Sequence, residues 1–220
     1  MGNDGASGGR RGIDTGPWDV REGGRPRTEL VDLGGLLVPL LPGEEVQVGV
    51  PRNSDQVVSV TVVRNSRALQ LQAWHAQRSG AWTEGRQGFA ANVLAMGGEA
   101  RECAGPYGTE LRCEVLGEHL TTGRHVWTSF SVFGCDGPGW TLRAVASGVG
   151  ADRGPADWAY AFFAGTVVAP SAVPTVVPAS PAGFGAFQPG LHLKPVLLRM
   201  PDGHVPATTT GPLPLDDRWW

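Results

Sequence analysis

Residues 99–149 have the sequence EARECAGPYGTELRCEVLGEHLTTGRHVWTSFSVFGCDGPGWTLRAVASGV. The stretches 99–104, 109–116, 125–133 and 140–149 are strand-like, and Gly-Pro-Tyr-Gly, Thr-Thr-Gly and Asp-Gly-Pro-Gly lie between them. Glycine, proline and aspartate in such short connections favour turns. The segment therefore predicts a meander of four antiparallel strands.

Four further strand-like stretches precede this meander. They are an apolar run at 31–41 and alternating stretches at 45–50, 58–62 and 68–76, with turn residues between them. Alternation of apolar and polar residues is typical of strands with one buried face. This part of the chain predicts a first meander.

Two segments have the periodicity of helices. In residues 82–96 large apolar side chains recur at helical spacing, and Gly97 and Gly98 follow. Residues 156–164 form a second such segment, and 166–169 predict a last short strand. The order strands, helix, strands, helix, strand predicts an α+β fold. We expect an antiparallel sheet built from two meanders, with two helices on one face.

The composition changes twice along the chain, so we expect three parts. Residues 1–28 are rich in glycine and arginine with little to bury, and they predict a flexible arm. Residues 29–170 are long enough for one hydrophobic core and predict a single domain. Residues 171–220 are rich in proline, alanine and valine, which predicts an extended tail.

Three valines of this tail are candidate partner contacts. Val173, Val176 and Val177 lie among prolines that favour an extended chain. Because apolar side chains are poorly suited to remain in water, the tail either docks on a partner protein or folds back on its own domain.

The charge of the chain argues against nucleic acid as a partner, and its hydropathy argues against a membrane span. The net charge is −3, with no dense basic patch to neutralise phosphates. Prolines interrupt the uncharged stretch 158–193, whereas a spanning helix needs about 20 apolar residues. Residues 1–12 are polar and do not resemble a secretory signal. We therefore expect a cytoplasmic protein.

The three cysteines do not have the spacing of metal ligands. Cys103 and Cys113 flank a turn, so a disulfide has to be considered. A two-residue turn would place residue 103 opposite 110 and would point Cys113 to the other face of the sheet, although a longer loop would shift this register. We expect Cys103, Cys113 and Cys135 to be free thiols.

The candidate catalytic residues lie close to the Asp-Gly-Pro-Gly turn. Asp136 is either a general base or binding carboxylate, or a turn residue that accepts hydrogen bonds from its own backbone. Cys135 is either a nucleophile or a core thiol. His119 and His125 lack a third ligand, so no metal site is predicted. Trp140 lines a ligand pocket or belongs to the core. In each case we favour the structural role.

Four motifs of the chain are distinctive: Gly-Pro-Trp-Asp at 16–19, the segment 31–43, Gly-Pro-Tyr-Gly-Thr-Glu-Leu at 105–111 and Gly-Cys-Asp-Gly-Pro-Gly-Trp-Thr-Leu-Arg at 134–143. They resemble an uncharacterised actinobacterial family, the domain of unknown function numbered 3710, and the last motif is the most specific. The resemblance extends over roughly residues 16–201. It implies a cytoplasmic actinobacterial protein and brings no known activity, cofactor or catalytic residue.

The chain departs from the family pattern at two places. It has Gly139 where the family has arginine before the tryptophan. It has Trp-Ala-Tyr-Ala at 158–161 where the family has an acidic helix. Asp136, Trp140 and Arg143 of the most specific motif are taken as candidate binding residues.

These observations favour a non-catalytic binding or adaptor protein, with a protein as its partner and no cofactor. No glycine-rich phosphate loop stands between a strand and a helix, which argues against nucleotide binding. The alternative is a small-molecule-binding protein, or an enzyme of specialised metabolism, with its pocket between the sheet and the helices. A deep, partly polar cavity lined by titratable groups would favour the alternative, and a continuous exposed apolar groove would favour the adaptor.

Overall fold

The computed structural model describes residues 11–12, 14–25, 29–39, 44–51, 55–118, 124–174 and 191–195. Its strands are β1 Trp18–Asp19, β2 Val31–Asp32, β3 Leu36–Val38, β4 Glu45–Pro51, β5 Ser59–Arg64, β6 Arg67–His75, β7 Glu99–Gly105, β8 Gly108–Glu118, β9 His125–Gly137, β10 Trp140–Gly148, β11 Val167–Val168 and β12 Leu191–Pro195. Its helices are α1 Ala81–Ala95 and α2 Asp157–Gly165, with a short 3-10 turn at Ala151–Arg153.

Two sheets contain all of these strands. The larger sheet has the order β12-β4-β5-β6-β10-β9-β8-β7, and each neighbouring pair is antiparallel. The smaller sheet has the order β1-β11-β3-β2, and its β1–β11 pair is parallel. The two predicted meanders meet where β10 pairs with β6, with Leu142 opposite Ala73. The predicted α+β class, the mostly antiparallel sheets and the approximate order of elements are confirmed.

The two helices lie on opposite faces of the larger sheet, which differs from the expectation of one shared face. Phe89 of α1 is buried in a cluster with Val145 of β10. Phe163 of α2 is buried in another cluster with Ala144 of β10. Successive residues of a strand point to opposite sides. Because both sides of β10 are apolar, each side can bury a helix.

The β7–β8 hairpin has the two-residue turn on which the cysteine prediction depended. Cys103 lies opposite Glu110, and Cys113 lies opposite Ala100, so the two sulfurs are on different faces of the sheet. Cys103, Cys113 and Cys135 are all free.

Segments on both sides of residues 29–170 pair with the sheets. Trp18 of β1 is buried and lies opposite Val167. Val173 is only 7 % exposed and belongs to the α2-side core, and the carbonyl of Pro174 accepts a hydrogen bond from the amide of His75 (2.8 Å). Strand β12, from the predicted tail, pairs with β4. The limits of the domain stay a prediction.

None of the helices in the described ranges is long and apolar enough to cross a membrane.

Candidate functional site

Asp136, near the end of β9, is hydrogen bonded to the first turn of α1. Its Oδ2 accepts from the amide of Gly80 (2.8 Å), and its Oδ1 accepts from the amide of Trp82 (2.9 Å) and from Thr141 Oγ1 (2.7 Å). The first amides of a helix have no partner within the helix, and a carboxylate is a favoured acceptor for them. Asp136 therefore caps a helix that lies 54 residues earlier in the chain.

Trp140 is fully buried at the start of β10. Its Nε1 donates a hydrogen bond to Asp19 Oδ2 (2.9 Å). Arg21 forms an ion pair with the same carboxyl group, from Nε to Oδ1 (2.7 Å), and this hydrogen bond is the main reason why the pKa of Asp19 falls to about 2. The predicted ligand-pocket or core residue is thus a core residue that is tied to strand β1.

A second arginine, Arg11, lies over the ring of this tryptophan. The guanidinium carbon of Arg11 lies 5.3 Å from the centre of a Trp140 ring, a cation–π distance. Arg11 Nη2 is also 2.9 Å from Glu22 Oε1. Residues 11–12 and 14–22 therefore close this end of the sheet over Trp140.

Arg143 lies under α1, on the face of the sheet opposite to Trp140. Its guanidinium donates to Gln72 Oε1 and stacks near the rings of Trp74 (5.7 Å) and Phe89 (5.3 Å). Only 5 % of the residue is exposed, and burial lowers the pKa of its side chain to about 10. Within the described ranges no carboxylate forms an ion pair with it.

The predicted site residues are therefore not brought together. Asp136 and Arg143 lie on the α1 face, Trp140 lies on the α2 face, and Val173 is buried near Leu36 and Ala73. Val176 and Val177 fall outside the described residues, as does His119.

A cavity lies between the sheet and α2, the place where the alternative small-molecule function expected a pocket, but none of the predicted site residues lines it. It has a volume of about 620 Å³ and is bounded by the β6 and β10 ends, the 3-10 turn and the first residues of α2. Its small wall residues include Ala146 and Ala159, and Trp158 adds an indole ring. The sequence signal that could have indicated this cavity is the set of glycines in Ser-Gly-Val-Gly-Ala-Asp-Arg-Gly at 147–154. These glycines shape the loop that lies over the cavity.

Four charged residues line this cavity: Arg67, Asp152, Arg153 and Asp157. Asp152, Arg153 and Asp157 are exposed, and their side chains make no hydrogen bond or ion pair with other described residues. Arg67 Nε donates to the carbonyl of Val149 (3.1 Å). The cavity thus offers both signs of charge beside an indole ring and small apolar groups.

A buried carboxyl group lies next to this region, on β8. Glu110 is fully buried, and its Oε2 accepts from Tyr160 Oη (2.8 Å) and from Arg112 Nη1 (3.3 Å). Burial raises the pKa of Glu110, while Tyr160 and Arg112 act in the opposite direction. Arg112 in turn packs directly below Gly154 of the loop.

The described residues hold no group of three histidine, cysteine or carboxylate side chains that is placed to bind a metal ion. The model of a family described as protein of unknown function (DUF3710) matches residues 16–180. No curated protein and no solved structure matches the chain.

Proposed function

We propose that this chain, which belongs to the DUF3710 family, is a non-catalytic binding protein that holds a small polar molecule in the cavity between the sheet and α2. The main support for this proposal is the cavity itself. Its volume of about 620 Å³ is within the range of roughly 300–1,000 Å³ that small-molecule sites occupy. Its charged residues and the indole of Trp158 are suited to orient a ligand.

The exposed apolar surface gives less support to the adaptor function that the sequence favoured. Among described residues the large apolar side chains that are exposed are Leu94, Met96, Leu116, Trp127 and Val149. Only Leu116 and Trp127 are direct cross-strand neighbours, so they form a small patch rather than a groove. Small exposed patches are ordinary on soluble proteins.

A protein partner bound through the tail was the sequence-based proposal. Val173 is buried against the α2-side core. A contact through the tail would therefore have to be made by residues that follow it.

Filling the cavity tests the proposed function. Ala146→Leu adds a branched side chain at the cavity wall, and Ala90→Leu makes the same change on α1, across the sheet. We expect polar compounds from a metabolite library to raise the melting temperature of the wild type and of Ala90→Leu but not of Ala146→Leu. Calorimetric titration of each stabilising compound checks the result. Arg153→Gln removes a charge from the cavity wall without adding volume, so it separates the effect of charge from the effect of filled space. Equal stabilisation of Ala146→Leu, or no stabilising compound, would contradict the proposal.

We further propose a cytoplasmic location in an actinobacterial cell. The actinobacterial source is what the resemblance of the sequence motifs implies. A reducing compartment is supported by the three free thiols.

Alkylation of the denatured protein, purified in air without reductant, should modify three cysteines by intact mass. The loss of two modified sites would show a disulfide and would argue against this location.

A further inference from the structure

The α1 face of the larger sheet contains an arginine whose positive charge has no partner among the described residues. Arg143 is buried, and its guanidinium donates a hydrogen bond to the neutral side-chain oxygen of Gln72. Burial lowers the pKa of Arg143 to about 10, so the side chain is still charged at neutral pH. Because it is costly to remove an unpaired charge from water, buried charges in proteins are normally paired. The described part of the chain does not supply the counter-charge that Arg143 needs.

Three buried N–H donors at this place also have no acceptor among the described residues. They are Arg143 Nε, Gln72 Nε2 and Trp82 Nε1, and each of these residues is more than nine-tenths buried. None of the three groups can accept a hydrogen bond from another, because all of them are donors. Buried donors without an acceptor cost free energy and are rare in folded proteins. The set therefore calls for an acceptor that these side chains do not themselves provide.

The sheet register places the three donors next to one another. Gln72 lies directly opposite Arg143 on β6, and Gly134 lies directly opposite Arg143 on β9. The Trp82 indole packs on Gly134, where an added side-chain carbon would lie 2.9 Å from the ring. Neighbouring strands of a sheet are about 4.8 Å apart. The donors therefore come from three adjacent positions of one row across the sheet, beneath α1.

Two carboxylates of the α1 face have other partners. Asp136 accepts two hydrogen bonds from the first turn of α1 and one from Thr141. Glu102 forms an ion pair with Arg86 of α1, from Oε1 to Nη2 (3.2 Å). A carboxylate that already accepts hydrogen bonds from other groups has less capacity to neutralise a further charge. These two residues therefore leave the counter-charge of Arg143 to another group.

We propose that Arg143, Gln72 and Trp82 form a buried site for a small monovalent anion of the size of chloride, beneath α1. The rings of Phe89 and Trp74 lie 5.3 Å and 5.7 Å from the guanidinium carbon, and this enclosure favours a small anion over an extended one such as an organic acid. The bound anion neutralises the arginine and stabilises the packing of α1 on the sheet. The site lies on the face opposite to α2, so it does not depend on the proposed function.

Thermal unfolding of the full chain in sodium chloride, compared with sodium gluconate at the same ionic strength, tests this site. An anion that binds only the folded chain raises the melting temperature once its concentration exceeds the dissociation constant. We expect a rise of about 3–6 °C for each tenfold increase in chloride above that constant. Sodium bromide should act as sodium chloride does. Gluconate is too large for an enclosed site, so it should show only the general effect of ionic strength.

Three variants assign the effect to the proposed residues. Trp82→Phe retains an aromatic ring but removes one donor, so it should reduce the chloride-dependent shift of the melting temperature. The double variant Arg143→Met with Gln72→Leu removes the charge and the other donors and should abolish this shift. Arg86→Met is the matched control, because it removes another buried arginine of the α1 face that is paired with Glu102. The control should retain the full chloride-dependent shift.

A crystal grown in sodium bromide locates the anion directly and should show an anomalous scattering peak beside the Arg143 guanidinium. This crystal and Trp82→Phe decide the matter if the double variant does not fold. Equal shifts in chloride and gluconate, a full chloride-dependent shift in the double variant or in Trp82→Phe, or a bromide crystal without a peak at this position would overturn the inference.

Discussion

On one face of the larger sheet, the 15 residues of α1 lie over β7 to β10, whereas on the other face α2 has only 9 residues and is preceded by a short 3-10 turn. On the α1 face, Asp136 caps the helix and Arg143 donates to Gln72 beneath it. The α2 face is closed at the Trp140 end and holds cavities at the end near Ala146. The difference indicates that a longer helix seals its face, while a short helix with a glycine-rich loop leaves room for a ligand.

The largest effect should come from Trp140→Ala, at the closed end of the α2 face. The ring is fully buried and hydrogen bonded, so we expect the free energy of unfolding to fall by about 3–5 kcal/mol. Trp127→Ala removes a ring that is 55 % exposed on the same face and should change it by less than about 0.5 kcal/mol. Urea denaturation measures both, and similar losses for the two would contradict the division of this face.

The α1 face is tested by Arg143→Met. This change leaves buried Gln72 Oε1 without its donor, and we expect a loss of roughly 1–3 kcal/mol in the free energy of unfolding. The double variant with Gln72→Leu should return to within about 1 kcal/mol of the wild type, because a buried polar pair can be replaced by apolar groups at little cost. Urea denaturation of the single and double variants gives the coupling free energy between Arg143 and Gln72. A double variant less stable than the single one would show that Arg143 contributes through other contacts.

A smaller loss is expected for Asp136→Ala, which removes the acceptor for the first amides of α1. Loss of a helix cap costs about 1 kcal/mol. Hydrogen exchange of the Trp82 amide should become faster. Asp152→Ala, in the 3-10 turn of the open face, is the matched control and should leave stability unchanged. Unaltered exchange at Trp82 would mean that the cap does not hold the helix end.

The smallest effect concerns pH and the closed end of the α2 face. The pKa of Asp19 is lowered from 3.8 to about 2 in the folded protein, so its charge stabilises the fold above the unfolded pKa, and this contribution disappears as the pH falls through about 2. Arg21 is 64 % exposed, which makes the contribution small.

Asp19→Asn retains an oxygen acceptor for Trp140 and removes the charge. Its stability relative to the wild type should be lower near neutral pH and equal near the folded pKa. Denaturation curves across this range measure the difference, and a difference that does not change with pH would rule out the charge as its source.

The strands and helix ends were predictable because their signals are local. Gly97 follows α1 within two residues, and the two-residue turn set Cys103 opposite Glu110 in the register. The placement of the helices was not predictable in the same way. Ala144 and Val145 of β10 are both apolar and point to opposite faces, so the sequence pattern does not assign a single buried face to this strand.

The candidate site was less predictable, because it depends on contacts between distant segments. Asp136 reaches a helix end that no turn pattern specifies, and Arg143 was a lone charge in an apolar strand with no indicated partner. The cavity is the space left between a loop and the sheet. Gly150 and Gly154 indicated a loop, but the volume below it follows only from the packing of α2.

The pairing of β6 with β10 also has a consequence for how the chain folds. Residues as far apart in sequence as Arg67 and Gly148 pair between these two strands. The β7–β8 and β9–β10 hairpins, in contrast, pair residues that are close in sequence. Closing a long loop costs more chain entropy than closing a hairpin, and rates of folding fall as contacts become less local. We therefore expect the pairing of β6 with β10 to form later in folding than the hairpins of the second meander.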